Sequence, residues 1–507
     1  MHYHHLLLLI SSLIPTIQST NTNNHAINNN NNENANLWIN SNPYTFTPLK
    51  HSAGTTPYYT PHNPPLNPVP PQGCKISKAS YIIRHSAIYP NDFEYSTYIE
   101  PFLEKLSNTS QNWNQSTYLS FLSNWTAPVN DSHLDKLTQI GLVEARNLGK
   151  SLAKRYSSLN QPGKIWSSTA ERTVKSAEGF INGFMGLKSK SKHANITTTA
   201  TASGNGNGNR NDSIHLVEVE ESDDAGANSL TPYKGCSSFS SSYGNDQSSK
   251  FAKIYTKPII ARLEADVSDF NFTTEDITGM IELCGYETVI RGSSPFCSLS
   301  LFSADEWLGY EYASDIKYFH NTGYGRPLSG ILGIPWVNAS FAALEKSTTT
   351  PKSKSKSKNE TQTQTQSETQ QDLYISFTHR EVPPMILTAL GLYNNSAYTG
   401  SNNINATMPE DKINHNRVWR SSEILPFLTN IGIERMSCEK SFGFNDGDYY
   451  RVLVNDGPMP LVECRDGPGG SCSRGKFGDF IRERMDGFGG FNEGCGGDFE
   501  EELRIYE

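Results

Sequence analysis

The chain has 507 residues, a formal net charge of −9 and a pI near 5.8. This length leaves room for one large core with an inserted subdomain. The mildly acidic balance argues against a nucleic-acid partner, which would favour a basic face.

The composition of the first seventy residues predicts a secretory signal peptide followed by a disordered segment. Residues 1–19 have the pattern of a secretory signal peptide, with an apolar core at Leu6–Ile14 that is too short to span a bilayer. Residues 20–70 are rich in Asn and Pro, which indicates disorder. We find no later segment of the sequence that is long and apolar enough to cross a membrane. We therefore expect a secreted, extracellular protein without a membrane partner, with attachment to the cell wall as an alternative.

Strand and helix signals alternate along the rest of the chain. In chain order they are a strand at 79–85, a helix at 135–156, a weaker strand at 163–168, a helix at 170–184, a weaker strand at 214–221 and a strand at 372–379. The first and last strands are short, apolar, and rich in β-branched and aromatic residues, as buried parallel strands are. The alternation predicts an α/β/α sandwich with a mostly parallel central sheet.

Three further segments are predicted to be insertions in this sandwich. Residues 225–345 are rich in helical pattern, Trp and Tyr, which indicates an inserted helical subdomain. Residues 186–213 and 345–371 are polar and of low complexity. We predict that both leave the domain as loops, because the entropy of loop closure grows only slowly with length.

Cysteines and glycosylation triplets both fit an oxidising compartment. None of the eight cysteines forms a CxxC pair or a Cys/His cluster at zinc spacing, so we predict disulfides and no metal site. N-x-S/T triplets, the acceptors of N-linked glycans, begin at Asn108, Asn114, Asn124, Asn130, Asn195, Asn211, Asn271, Asn338, Asn359, Asn394 and Asn405.

Ionisable side chains stand where the predicted strands end. One strand ends in Arg84-His85, another is followed by His379 and Glu381, and Arg172 lies one turn beyond a third. In open α/β sheets, ligands bind outside the carboxyl ends of the strands. Arginines suit phosphate oxygens, a neutral imidazole can attack phosphorus, and a carboxylic acid can protonate a leaving alkoxide.

Each of these residues alone has a structural explanation. Arg84-His85 could pair with a buried carboxylate, Arg172 could be an exposed helical cation, and His379 could be a structural core histidine. Glu381 could be a first-turn acid favoured by the helix dipole. Only the shared placement at one sheet edge favours a site.

The segments that carry these residues resemble the histidine acid phosphatases, a family that includes fungal phytases. The residues "RHSAIYP" (84–90) match the family motif RHGxRxP in part, and "FTHREVPP" (377–384) stands where the family has His-Asp or His-x-Glu. The resemblance extends to 137–156, 166–184, 297–338 and 449–464. It implies a histidine phosphatase domain over 71–507.

The resemblance also implies a role for each residue. His85 would be the nucleophile, and Glu381 the proton donor. Arg84, Arg172 and His379 would bind the phosphate oxygens of the substrate. No metal or other cofactor is expected, because two arginines and a histidine supply the positive charge.

Three positions depart from the family pattern. Ser86 replaces the glycine after the histidine, and Ile88 replaces the second arginine of the motif. Arg380, between His379 and Glu381, could replace that charge, or could face solvent as strand alternation suggests.

Disulfide pairs are implied by the same resemblance, whereas the spacing alone leaves many connectivities open. The implied pairs are Cys74 with Cys438, Cys236 with Cys495, Cys284 with Cys297, and Cys464 with Cys472.

The sequence thus predicts a secreted acid phosphatase that hydrolyses small-molecule phosphomonoesters through a phosphohistidine intermediate. Two alternatives stay open. One is a phytase, which hydrolyses inositol hexakisphosphate. The other is a catalytically weakened secreted glycoprotein that keeps the fold, which the changes at Ser86 and Ile88 would support.

Overall fold

A computed structural model describes residues 45–60, 64–188, 195–200, 213–221, 228–346, 371–441 and 443–498, together with residues 503, 505 and 506. The predicted signal peptide at 1–19 lies outside these ranges. So do residues 20–44 and most of the two predicted inserts. The elements below all belong to one unit that begins at Thr47.

In the described part of the chain, nine strands form a single mixed sheet. They are β1 (Cys74–Arg84), β2 (Lys164–Ser168), β3 (Asn195–Ala200), β4 (Ser213–Val219), β5 (Leu373–Thr378), β6 (Asn430–Cys438), β7 (Gly447–Val454), β8 (Gly457–Met459) and β9 (Cys472–Ser473). The strand order is β3-β4-β2-β5-β1-β6-β7-β8, and β9 pairs with β7. The first five strands in this order are parallel, and the others pair antiparallel. The predicted α/β class with a mostly parallel central sheet is confirmed.

Fourteen helices are described. They are α1 (Asp92–Glu94), α2 (Glu100–Asn108), α3 (Gln139–Arg155), α4 (Glu171–Lys188), α5 (Asn245–Asp266), α6 (Thr274–Arg291), α7 (Ala304–Asn321), α8 (Leu328–Glu345), α9 (Val382–Ala389), α10 (Ser396–Thr399), α11 (Ile404–Thr407), α12 (Ser421–Ile424), α13 (Arg474–Phe488) and α14 (Phe491–Cys495). A π-helical turn at Tyr95–Ile99 joins α1 to α2. None of the described helices is both long enough and apolar enough to cross a membrane.

Strand β1 is buried on both faces, and its alternation separates two cores. Tyr81 and Ile83 pack with residues of α3 and α4. Ile82 packs in a second cluster with residues of α8, α9 and α13. Because successive side chains of a strand point to opposite faces, a continuous apolar run such as 79–83 fits a strand covered on both sides.

Helices α3 and α4 approach each other closely because two glycines face the partner backbone. A Cβ on Gly149 would lie 2.1 Å from the carbonyl oxygen of Phe180, and one on Gly183 would lie 1.9 Å from that of Arg146. Side chains at these positions would force the helices apart. This tight pair matters for the site, because it positions α4, whose first turn follows β2.

The predicted helical subdomain at 225–345 contains four long helices, α5 to α8. Residues of α5, α7 and α8 share one apolar core with the sheet, α9 and α13. Helix α8 packs directly on α9, α13 and strands β1 and β6, whereas α5 and α7 pack on each other through Phe251 and Tyr312.

Two predictions of disorder are wrong in part. Residues 47–60 form two short 3₁₀ helices, and Ala53 and Thr56 are buried. This segment is held by hydrogen bonds from distant residues, including one from Arg84 to Gly54, which local composition cannot indicate. Within the predicted insert 186–213, α4 continues to Lys188, and the backbone of β3 adds a parallel strand to β4.

All four predicted disulfides are present, linking Cys74 to Cys438, Cys236 to Cys495, Cys284 to Cys297, and Cys464 to Cys472. The first joins the start of β1 to the end of β6, where the two residues are directly paired across the strands. It thereby fixes the end of the central strand that lies opposite Arg84.

Candidate active site

The carboxyl ends of four parallel strands meet at one edge of the sheet. Arg84 of β1 pairs with Thr378 of β5, and the His85 N–H donates to the Thr378 carbonyl oxygen at 2.8 Å. Strand β2 ends beside β5, and the next turn begins α4, which carries Arg172. The predicted convergence of distant segments at this edge is therefore present.

A cavity of about 450 Å³ opens at this edge. His85, Arg172, His379 and Glu381 all line it, and so does Arg380. Four of the five predicted site residues are thus brought together.

His85 is held as a neutral imidazole with one ring nitrogen available. It is buried, and its Nδ1–H donates to the Ser86 carbonyl oxygen at 2.9 Å, which leaves Nε2 unprotonated. No described residue hydrogen-bonds Nε2. Burial, together with the nearby charges of Arg84 and Arg172, lowers the pKa of His85 well below its usual value. An unprotonated imidazole nitrogen can act as a nucleophile toward the central atom of a bound oxyanion, and the neighbouring cations attract that oxyanion.

His379 stands beside this imidazole and is paired with an acid. The two rings lie 6.1 Å apart between centroids. His379 Nε2 lies 2.7 Å from Glu221 Oε2 and 3.3 Å from Ser168 Oγ. Its Nδ1 is buried without a partner among the described residues. The Glu221 carboxylate therefore orients the ring through Nε2 and leaves Nδ1 without a partner among the described residues.

Arg172 reaches the cavity from the first turn of α4. Its Nη1 lies 3.3 Å from Asp135 Oδ1. The side chain is 26% exposed, and its Nε is buried without a partner among the described residues. The guanidinium thus keeps donors free for a ligand oxygen.

Glu381 is the carboxylic acid of the cavity. Its Oε1 accepts from Arg380 Nε at 3.3 Å, and its Oε2 accepts from Tyr233 Oη at 3.5 Å. Burial raises the pKa of Glu381, but the charges of Arg380 and His379 outweigh it, so the pKa lies below its usual value. Glu381 is then protonated only in acid solution.

Arg84 does not line the cavity, although we predicted it as a phosphate ligand. Its Nη1 donates to the carbonyl oxygens of Gly54, at 2.7 Å, and Leu425, and its guanidinium lies 4.6 Å from the centre of the Phe427 ring. Burial, together with the charge of Arg380, lowers the pKa of Arg84 to about 10, so it stays charged in acid solution. Arg84 contributes positive charge near His85, and direct binding of phosphate stays a prediction.

The two departures from the motif are both buried. Ser86 Oγ donates to the Gly141 carbonyl oxygen at 2.7 Å, and its N–H donates to Ser176 Oγ at 2.8 Å. Ile88 is fully buried and bridges to Leu137. Ser86 therefore ties the loop after His85 to α3 and α4, while Ile88 brings no charge to the cavity.

Glu221 was not predicted as a site residue, although the strand predicted at 214–221 ends there and the same strand-end pattern applies. For Arg380 the sequence left two alternatives, a replacement of the missing charge or a solvent-facing side chain, and the structure places it in the cavity wall. Lys234 and Lys317 also line the cavity, and they come from the segments before α5 and within α7.

One group of potential metal ligands occurs in the described part of the chain, formed by Cys464, Asp466 and Cys472. Its two cysteines are joined in a disulfide, so their sulfurs are not thiolates that could bind an ion. The group lies outside the cavity.

Two histidines, two arginines and an acid that line one cavity at the carboxyl edge of a parallel sheet form an α/β site suited to the transfer of an anionic group. Residues 75–455 match the family model of the histidine phosphatase superfamily, branch 2. The chain belongs to this branch of the superfamily. The predicted family and enzyme class are confirmed.

Similar proteins include both acid phosphatases and phytases. The acid phosphatase PHO1 of Komagataella pastoris is 27% identical over 438 residues, which cover 84% of this chain and 81% of that protein. Phytase A of Aspergillus awamori is 28% identical over 423 residues, covering 81% and 83%. The crystal structure of the phytase from D. castellii has the same fold, with a TM-score of 0.73 at 22% identity, covering 90% of this chain and 89% of that one.

Proposed function

We propose that this protein is a secreted acid phosphatase that hydrolyses phosphomonoesters through a phosphohistidine intermediate. The observation that carries the proposal is the single cavity lined by His85, Arg172, His379 and Glu381. It combines a nucleophile, two groups for phosphate oxygens and a proton donor.

The reaction proceeds in two steps. The substrate phosphate binds to Arg172 and His379, with the charge of Arg84 nearby. His85 Nε2 attacks phosphorus, the P–O bond to the alcohol breaks, and the Glu381 proton goes to the leaving oxygen. Water then attacks the phosphohistidine and gives its proton to the Glu381 carboxylate. Inorganic phosphate leaves, and both residues return to their starting forms.

The two catalytic groups set the expected pH dependence. His85 must be unprotonated, and its lowered pKa preserves attack as the pH falls. Glu381 must be protonated, and proton donation is lost as the pH rises through its lowered pKa. We therefore expect kcat/KM for a small aryl phosphate to be highest in acid solution and to fall toward neutral pH, unchanged by EDTA. A profile that rises toward alkaline pH, or activity that vanishes in EDTA, would contradict this mechanism.

A phytase is the second candidate, and the charge of the cavity favours it. The cavity presents four cations, Arg172, Lys234, Lys317 and Arg380, against three acids, Asp92, Asp135 and Glu381. Such a cluster suits a substrate that carries several phosphate groups. A kcat/KM for phytate equal to that for a small aryl phosphate would make phytase the better description. A clearly lower value would support a general acid phosphatase.

The third alternative is a weakened protein that only keeps the fold, and the change at Ser86 is one of its two supports. Replacing Ser86 by the family's glycine tests whether this change affects catalysis. Its hydroxyl bonds to Gly141 on α3, outside the reacting groups. We expect Ser86→Gly to lower the free energy of unfolding by ~1–2 kcal/mol, through the lost hydrogen bond and added backbone freedom. Activity should change only a few-fold. Urea unfolding and aryl phosphate kinetics check this, and a loss of turnover without a loss of stability would mean that the hydroxyl takes part in the chemistry.

Secretion is supported by the four disulfides and by six exposed N-x-S/T asparagines. These are Asn108, Asn114, Asn124, Asn130, Asn271 and Asn405. Protein recovered from the medium of a eukaryotic host should lose mass when treated with an endoglycosidase. A protein that stays inside the cells without glycans would contradict this localisation.

A further inference from the structure

Residue 88, where the family motif has its second arginine, is without charge in this chain. Ile88 is buried, pairs with Leu137, and does not line the cavity. A cavity that binds a phosphate dianion therefore lacks one cation that the motif would supply. Among the described residues that line the cavity, Lys234, Lys317 and Arg380 are cations that could take its place.

Arg380 lies in the wall of this cavity. Strand β5 ends at Thr378, and residues 379–381 lead through a turn into α9. Strand alternation therefore does not apply to Arg380, which explains why it does not face away from its neighbours. It lines the same cavity as His85 and Glu381, and its side chain is 18% exposed. A guanidinium there is charged at every pH at which the protein is folded.

Two acids hold the guanidinium without using all its donors. Arg380 Nη1 donates to Glu94 Oε1 at 2.6 Å, and Nε donates to Glu381 Oε1 at 3.3 Å. An arginine has five N–H donors, and Nη2 has no partner among the residues that the structure describes. The side chain is fixed in place and still has donors for a ligand.

A purely structural ion pair fits these contacts less well. A guanidinium that serves only to neutralise a carboxylate commonly binds both of its oxygens. Here Glu94 Oε2 is buried without a partner among the described residues. Arg380 instead divides its donors between two acids and stays at the cavity surface.

We propose that Arg380 binds the phosphate oxygens of the substrate and supplies the positive charge that Ile88 does not. This inference rests on the proposed function. It assigns Arg380 as a substrate-binding residue of the site, beside Arg172 and His379.

The test compares Arg380→Gln with wild type by calorimetric titration with inorganic phosphate in acid solution. One charge-assisted hydrogen bond corresponds to about a ten- to hundredfold change in affinity. We expect the Kd for phosphate and the KM for an aryl phosphate to rise by that factor. Arg380→Lys should lose less, because it keeps the charge but not the planar fork.

Two control variants separate binding from structure. Arg420→Gln also removes a guanidinium that pairs with an acid, Glu423, but away from this cavity, and should leave the Kd for phosphate unchanged. Glu94→Gln removes the charge of the acid but keeps an oxygen that can accept from Arg380, so it should leave the Kd for phosphate unchanged or lower it. If Glu94→Gln weakens phosphate binding as much as Arg380→Gln does, loss of the ion pair accounts for the effect, and the inference is wrong.

The inference is also overturned if folded Arg380→Gln binds phosphate within about twofold of wild type. This outcome is distinct from failure of the proposed function. Wild-type protein that turns over no phosphomonoester would contradict the function, while the phosphate titration would still report on Arg380.

Discussion

Replacement of His85 by alanine is expected to lower kcat for a small aryl phosphate by at least ~10³-fold, because the variant lacks the atom that attacks phosphorus. His85 and His379 are the described histidines that line the cavity, and only His85 has an Nε2 without a partner, because His379 Nε2 bonds to Glu221. Steady-state kinetics in acid solution measure the effect.

The fold of this variant should survive. Among the described residues, the side chain of His85 hydrogen-bonds only to its neighbour, Ser86, so little tertiary structure depends on it. His320→Ala is the matched control, because His320 is also a buried histidine but lies outside the cavity. Circular dichroism should show both variants folded, with turnover lost only in the first. A folded His85→Ala protein with substantial activity would remove His85 from the mechanism.

Replacement of Glu381 by glutamine should give the second largest effect, and its size should depend on the leaving group. For an alkyl phosphate we expect kcat to fall by ~10²–10⁴-fold, because the departing alkoxide needs a proton. For an aryl phosphate with a strongly acidic phenol the loss should be much smaller, because that leaving group departs without one. The ratio of the two losses identifies the proton donor.

Glu221→Gln is the matched control for this experiment. Glu221 bonds to His379, so its loss should weaken phosphate binding for both substrates alike. If Glu381→Gln affects both substrates equally, Glu381 is not the donor. If the dependence on the leaving group appears in Glu221→Gln instead, the donor is Glu221.

Local sequence patterns predicted four of the five parallel strands, whereas β3 lies in a stretch predicted as a loop. The apolar runs that became β1 and β5 are covered on both faces, and such strands carry their signal in their own composition. The edge at which the site lies followed from the same pattern, because parallel strands present their carboxyl ends together.

Strand β6 was not predicted from its sequence. Its Glu434 is fully buried and would argue against a core strand. Ion pairs make it compatible with burial, since Arg451 Nε lies 2.6 Å and Arg155 Nη2 lies 2.8 Å from its two oxygens. These partners are distant in the sequence, so no local pattern indicates them.

The same limit applies to the site. The position of Arg380 depends on where β5 ends, and a strand boundary is the least certain part of a sequence prediction. The packing of residues 47–60 depends on acceptors that they offer to residues such as Arg84. The local sequence suggested a solvent-facing Arg380 and a disordered segment at 47–60. A strand boundary in the first case, and contacts with distant residues in the second, gave a different result.

The most direct test of the account is to trap the covalent intermediate. Wild-type protein is mixed with an aryl phosphate in acid solution, quenched in alkali because phosphohistidine is labile in acid, and digested for mass spectrometry. The account predicts one phosphoryl group on the peptide that contains residues 84–90, located on His85, and none in His85→Ala. Turnover by wild type with no phosphoryl group on His85, or with one on another residue, would contradict it.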